Sequence, residues 1–255
     1  MRAIALTIAG SDPSGGAGIQ ADIKTFAAFG VYGMAVPAAL TAQNTGGVEA
    51  VRAVPPAFLQ RQLEAVLDDV RPDAVKTGML LNARTIGIVA DALRKYNVRN
   101  IVVDPVMVSS SGRRLLMRHA LDALTAEVLP LAELVTPNLD EAGALAGMKI
   151  ETEEEAEEAA RRIHALGPRF VLVKGGHLGG DAVDFFYNGT EIFRYPGRRV
   201  SNKKLHGAGC VYSAAITAGL ARGMSVMEAI AGAKDFVSKA IKKAAPVGKG
   251  RVPIV

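Results

Sequence analysis

Tryptophan is missing from these 255 residues, aromatic residues reach only 5 %, and Cys210 is the single cysteine. One cysteine cannot close an internal disulfide, which points to a reducing, cytoplasmic setting. No apolar run approaches the ~20 residues that a membrane helix needs, so no membrane partner is expected. Residues 1–10 are apolar only over the length of a short strand and lead into Gly10-Ser11-Asp12-Pro13. They read as a first strand, not as a secretory leader. Also absent are an internal repeat, a low-complexity tract, a long linker and a G-x-x-x-x-G-K-[ST] loop. Basic residues are scattered without interleaved aromatics, which argues against nucleic acid. The expectation is one domain over residues 1–255.

The composition that remains is 49 % hydrophobic with 27 glycines, so the core must rest on Ala, Val, Leu and Ile. Runs of these residues suit strands buried on both faces. The net charge of +5 fits either an ordinary basic surface or a site for anionic ligands such as nucleoside phosphates.

Strand-like and helix-like segments alternate along the chain. Strands are expected at 3–9, 34–41, 74–77, 101–104, 134–136 and 170–174, and helices at 17–29, 56–70, 83–96, around 117–128 and at 211–220. Thr152 with Glu155 and Ser225 with Glu228 are capping boxes opening two more helices. Residues 182–188 and 191–195 suggest a hairpin turning at Asn188-Gly189. This rhythm defines an α/β fold with a mainly parallel central sheet and helices on both faces.

Ligands of such sheets bind beyond the carboxyl ends of the strands, and the distinctive residues of the chain gather there. Gly16-Ala17-Gly18-Ile19-Gln20-Ala21 matches the G-x-G-x-x-A dinucleotide pattern. That pattern wants an acid at the end of the second strand, and Thr41-Ala42-Gln43-Asn44 has none. The glycines then serve either a tight βα turn or a close approach of substrate, with Asp12 or Asp22 offering hydrogen bonds.

His206-Gly207-Ala208-Gly209-Cys210 precedes an apolar helix, so its N–H groups can form an anion-binding nest. A thiol in that first turn is either activated by the helix dipole as a thiolate or is a small buried hydrophobe. Asn138 and Glu141, three apart, are either an N-cap with a first-turn acid or donors for a hydrated Mg²⁺. Asp104 is a metal neighbour or a turn residue, and Lys174 offsets phosphate charge or is an exposed strand-end lysine.

Taken in order, residues 9–22, Thr-Ala-Gln-Asn-Thr at 41–45 and Lys-Thr-Gly-Met-Leu at 76–80 resemble the ribokinase-like superfamily. Val-Asp-Pro-Val-Met at 103–107, Thr-Pro-Asn-Leu-Asp-Glu at 136–141, Val-Lys-Gly-Gly-His at 173–177 and residues 206–210 extend the likeness over the whole chain. Within that superfamily they are most similar to the hydroxymethylpyrimidine phosphate kinases of thiamine biosynthesis.

The resemblance implies phosphorylation of 4-amino-5-hydroxymethyl-2-methylpyrimidine and then of its monophosphate, with ATP and Mg²⁺. It implies that Gly10 and Asp22 lie against the pyrimidine, that Gln43 reads its edge, and that Met79 and Val106 pack near the ring. Gly207, Ala208 and Gly209 would surround the transferred phosphoryl group, with Cys210 where related sugar kinases carry an aspartate base. Asn138 and Glu141 would organise Mg²⁺ through water, with Asp104 and Lys174 beside the phosphates. A homo-oligomer, most simply a dimer, is also implied. Ala208, Lys204-Leu205 and Ser109–Gly112 depart from the family pattern around the nucleotide and phosphates. Pyridoxine or pyridoxal kinases, which share the fold and the cysteine, are the nearest alternative.

Overall fold

The computed structural model describes residues 2–117, 119–176, 182–197 and 204–255. His177, the last residue of the sixth family-like segment, lies outside them. A nine-stranded sheet forms the centre, ordered β3-β2-β1-β4-β5-β6-β7-β8-β9. Its strands are β1 (Ile4–Ser11), β2 (Tyr32–Asn44), β3 (Gly47–Ala53), β4 (Ala74–Thr77), β5 (Ile101–Val103), β6 (Leu134–Val135), β7 (Phe170–Val173), β8 (Asp184–Tyr187) and β9 (Ile192–Tyr195). From β2 to β7 all neighbours are parallel, while β3, β8 and β9 run antiparallel at the two edges.

Alternating side chains of the central strands feed two separate cores, as the pleat requires. Leu6, Ile8, Val75, Ile101, Val103, Val135, Val171 and Val173 face one cluster. It is closed by α2 (Pro56–Asp69), α3 (Ala83–Lys95), α5 (Leu139–Ala146) and α6 (Glu153–His164), with the short α4 (Ala120–Ala123) running into a π-helical turn, Leu124–Val128. Ala5, Ala74, Val102, Leu134 and Leu172 face the other, under α1 (Gly18–Ala28), α7 (Ala208–Ala221) and α8 (Val226–Lys243). Helix α7 is apolar on all sides and buried almost throughout, as expected of a helix packed inside a domain. A second, two-stranded sheet pairs β10 (Leu205–His206) with β11 (Val252–Pro253), just ahead of α7.

The expected strands and helices are present with small shifts at their ends. Both capping boxes form, at Thr152 and at Ser225. The hairpin forms at Asn188-Gly189 as expected, with a wider turn, and one strand was not foreseen. The hairpin turn spans four residues, because the Asn188 side chain accepts from the N–H groups of Thr190 and Glu191 at 2.8 and 2.7 Å. Strand β3 was not expected: more than half of it is exposed, and it is held by backbone pairing with β2 and by Val51, which packs on the patch of Ala39, Met79, Leu81 and Leu115.

Sheet order reverses at β1, which has β2 on one side and β4 on the other. Crevices at such a switch point are where ligands of doubly wound sheets sit.

Candidate active site

A cleft of about 1190 Å³ opens along the carboxyl ends of β1, β2, β4, β5 and β7. Every residue expected to form the site lines it except Asp22.

At one end of the cleft, α7 begins at Gly207, whose φ of 79° is left-handed. A Cβ there would collide with the Gly16 carbonyl, so only glycine lets this turn lie against the Gly-rich loop. No side chain caps α7, which leaves its first-turn N–H groups facing the cleft. Gly209 sits over Lys174, since a Cβ at Gly209 would lie 3.3 Å from the Lys174 Nζ. Backbone amides and an ammonium thus converge on one spot, as anion binding requires.

Cys210 belongs to the same turn, and of the two readings left open the neutral thiol is the one its surroundings favour. Burial pushes its thiol up to about 11, and Asp104 and Asp22 add to the rise. Lys76 and a hydrogen bond from the Gly18 N–H oppose it without prevailing. The lowering by the helix N-terminus is therefore outweighed by removal from water.

Beside the turn lies a buried charge cluster. Lys174 Nζ donates to Asp104 Oδ1 at 3.0 Å, and Ser213 Oγ donates to Asp104 Oδ2 at 3.1 Å. Burial works against the charges, yet Lys174 and Lys76 hold Asp104 below the usual carboxylate range, and Asp104 with Glu141 holds Lys174 up. Lys174 is thus no exposed strand-end lysine. Asn138 and Glu141 form a reciprocal capping box: Glu141 N–H donates to Asn138 Oδ1, and Asn138 N–H donates to Glu141 Oε2, both at 2.9 Å. Burial raises Glu141 to about 7; Lys174 pulls it down and Asp104 pushes it further up. A buried carboxylate so raised is short of positive charge.

At the other end, Met79 and Val106 belong to an apolar patch with Ala39, Leu81 and Leu115. Gly10 packs so closely on Met79 that a Cβ would overlap its methyl group. Gln43 contacts both Thr41 and His206.

Asp22 lies beneath the cleft, fully buried. It accepts from the Thr7 hydroxyl and from Lys76 Nζ, each at 2.6 Å. Burial pushes the Asp22 carboxyl up and opposes the charge on Lys76, but Asp22, Cys210 and Asp104 together hold Lys76 above the ordinary ammonium range.

The Gly-rich loop is closed on itself. Asp12 accepts from Ser14 N–H and Ala17 N–H at 2.9 Å and from the Ser14 hydroxyl at 2.7 Å. The Ala17 and Gly18 amides at the start of α1 are thereby committed to Asp12 and Cys210. A dinucleotide pyrophosphate would need such amides, and the pattern match carries no cofactor site.

Sequence reasoning gave no role to Lys76, His206, Asp184 or Lys234. Asp184 accepts from Lys234 Nζ at 2.7 Å, from the Tyr212 hydroxyl at 3.0 Å and from the Gly175 N–H at 3.1 Å. Its one advance signal was an acid heading the apolar pair Phe185-Phe186.

A switch-point cleft with an uncapped helix N-terminus beside a buried Lys–Asp pair defines a phosphotransferase of the ribokinase-like class. The family model for phosphomethylpyrimidine kinase matches residues 12–255, and the chain belongs to that family. It is 49% identical over 258 residues to the hydroxymethylpyrimidine/phosphomethylpyrimidine kinase of Rhizobium meliloti, covering 100% of this chain and 97% of that protein. It is 50% identical over 254 residues to a thiamine biosynthesis bifunctional protein of Geobacter sulfurreducens. That match covers 99% of this chain but 52% of the relative, so the chain spans about half of that longer protein. Its structure is similar to an ADP complex of Bacillus subtilis pyridoxal kinase, with a TM-score of 0.91 at 39% identity, covering 99% of this chain and 96% of the other. ATP is the phosphate donor that membership of this kinase family implies.

Proposed function

We propose that the chain phosphorylates 4-amino-5-hydroxymethyl-2-methylpyrimidine and then its monophosphate, supplying the pyrimidine diphosphate for thiamine synthesis. The observation that carries this reading is the cleft's two ends. The turn of Gly207, Ala208 and Gly209 with Lys174 lies at one and would cradle phosphate, and the apolar patch of Met79 and Val106 with Gln43 lies at the other and would take the ring. The name of the Rhizobium meliloti relative supports both steps.

Phosphoryl transfer in line asks mainly for positioning and charge neutralisation. Lys174 and the α7 amides would hold the transferring oxygens, and Asp104 keeps Lys174 in place. Cys210, protonated in the free enzyme, would position the acceptor hydroxyl and take its proton only as transfer proceeds. The second acceptor, a phosphate, is already ionised and needs no base.

The residues present suit a hydrated Mg²⁺ better than a bare one. Asn138 Oδ1 and Glu141 Oε2 are spent on the capping box, and no cluster of three metal-binding side chains occurs among the described residues. Glu141, raised to about 7, is the group a nearby cation would relieve. Glu141, Asn138 and Asp104 would hold the ion through its waters, and the ion would neutralise phosphate charge.

A second reading, phosphorylation of pyridoxal as well, is favoured by the likeness to the Bacillus subtilis kinase. Cytoplasmic placement and a homodimer complete the proposal. Leu40, half exposed on β2 beside the open edge of β3, offers a surface for a second copy. ADP release measured with hydroxymethylpyrimidine, pyridoxal and pyridoxine in separate reactions tests the reading. Turnover with the pyrimidine supports it, and turnover with the pyridines alone overturns it.

A further inference from the structure

Hydrogen-bond parity around Gln43 fixes which way its amide points. As placed, Gln43 Oε1 lies 3.2 Å from Thr41 Oγ1, and Nε2 lies 3.1 Å from His206 Nε2. Thr41 Oγ1 is also 2.9 Å from the Ser11 carbonyl oxygen. A carbonyl only accepts and a hydroxyl has one hydrogen, so Thr41 donates to Ser11 and turns a lone pair toward Gln43. That lone pair calls for the amide nitrogen.

The other neighbour makes the same demand independently. His206 Nε2 lies 2.8 Å from Asp12 Oδ2. Asp12 is ionised: burial opposes its charge, but the contacts with His206 and Ser14 hold its carboxyl below the usual range. An ionised carboxylate only accepts, so His206 Nε2 carries a hydrogen and cannot accept one from Gln43. Ser110 Oγ, 3.0 Å from His206 Nδ1, can donate to that nitrogen and complete the tautomer. Exchanging the isosteric oxygen and nitrogen of the amide turns the nitrogen to the Thr41 lone pair and sets the oxygen beside the His206 Nε2–H, where it shares with Asp12 the single hydrogen of that nitrogen and no longer opposes it.

We propose that Thr41 and the Asp12–His206 pair are positioning residues that lock the Gln43 amide with its oxygen toward His206 and its nitrogen toward Thr41. The lock selects a ring edge that presents a donor and then an acceptor, counted away from the reacting group. This inference rests on the pyrimidine reading above. The hydroxymethyl group must approach the turn at Gly207–Gly209, which follows His206 directly. The amino group on the adjacent ring carbon then meets Gln43 Oε1, and the ring nitrogen beyond it meets the remaining N–H. Oε1 shares the His206 hydrogen with Asp12 and accepts from the ligand, while Nε2 donates to Thr41 and to the ligand. The opposite sense would set N–H against amino group.

The 4-oxo analogue of the substrate, 5-hydroxymethyl-2-methylpyrimidin-4-one, carries the reversed edge, an acceptor followed by an N–H donor. The test is the ratio of kcat/KM for the amino compound over the oxo analogue in the native enzyme and in Thr41→Val, Thr41→Ser, His206→Phe and Gln43→Ala. A site that hydrogen-bonds its ligand rejects the mismatched analogue strongly, so the native ratio is expected at roughly 10²-fold or more. Thr41→Val should lower the ratio about tenfold with KM rising for the amino compound, Thr41→Ser should restore it, and His206→Phe should lower it in parallel. If Gln43→Ala abolishes the preference while Thr41→Val and Thr41→Ser both retain it, the lock is wrong and the pyrimidine reading stands. If Gln43→Ala leaves the preference intact, or the native enzyme turns over neither compound, the reading of Gln43 fails and takes the lock with it.

Discussion

Lys76 Nζ stands 2.6 Å from Asp22 Oδ1, and both side chains are wholly removed from solvent. The pair joins β4 to α1 directly beneath the cleft, and α1 begins with the Gly18 N–H that holds the Cys210 thiol. Removing one member of a buried pair strands the other charge, at a cost of about 3–5 kcal/mol. Lys76→Met is therefore expected to lose that much stability in urea unfolding. Pairing it with Asp22→Asn, which removes the stranded carboxylate, should recover a large part. Strict additivity of the two substitutions would refute the coupling.

The raised Cys210 thiol gives a chemical signature. Alkylation by iodoacetamide should be slow at pH 8 in the free enzyme and climb until pH approaches the value of about 11. A thiol already titrating near pH 7 would contradict the burial argument.

Cys210 also separates the two phosphorylations. Cys210→Ala should cost roughly 10²-fold or more in kcat on the hydroxymethyl acceptor, within the range for a lost proton acceptor. The phosphate acceptor should lose far less, because it needs no deprotonation. Equal losses in the two steps, followed by ADP release, would remove Cys210 from proton transfer.

Glu141 makes stability depend on pH. Its folded value, about 7, lies above the ordinary 4.5, so the folded chain keeps the proton more tightly. The stability contributed is full below pH 4.5 and is lost as pH rises through 7, on the order of 3 kcal/mol in all. Glu141→Gln keeps the cap geometry and should flatten this slope, making the ligand-free protein more stable at pH 7.5 while lowering kinase activity. Denaturant melts at pH 5 and 7.5 check the first half; an unchanged slope would disprove it.

Gly207→Ala tests the junction of the two loops. A left-handed φ and a Cβ aimed at the Gly16 carbonyl should cost about 2 kcal/mol or more. The phosphate cradle should be displaced with it, so kcat falls as well. A variant with native melting and native kcat would show that the turn is not held by this contact.

Much of this was legible in the sequence, for physical reasons that also explain the exceptions. Ala74–Thr77 was readable from its place in the alternation of strands and helices, although Lys76 and Thr77 make it half polar. Thr152 and Ser225 were readable because capping is local. Strand β3 was not, since most of its side chains face solvent and only Val51 packs inward, too little to make a pattern. The π-helical turn at Leu124–Val128 was hidden for a similar reason, because its sequence still has helical spacing. At the site, the strand-end residues and the anion-binding turn were visible as clusters. What one dimension cannot convey is depth. For Cys210 the sequence left helix dipole and burial as open alternatives, and burial prevails; Asp22 was expected at the ligand but lies one layer below, holding Lys76.

The most direct measurement is mass spectrometry of the products formed from 4-amino-5-hydroxymethyl-2-methylpyrimidine monophosphate with ATP and Mg²⁺, with pyridoxal in the same mixture. Formation of the pyrimidine diphosphate is the result expected, whether or not pyridoxal phosphate accompanies it. Pyridoxal phosphate as the sole product, or no phosphorylated product at all, would contradict the assignment.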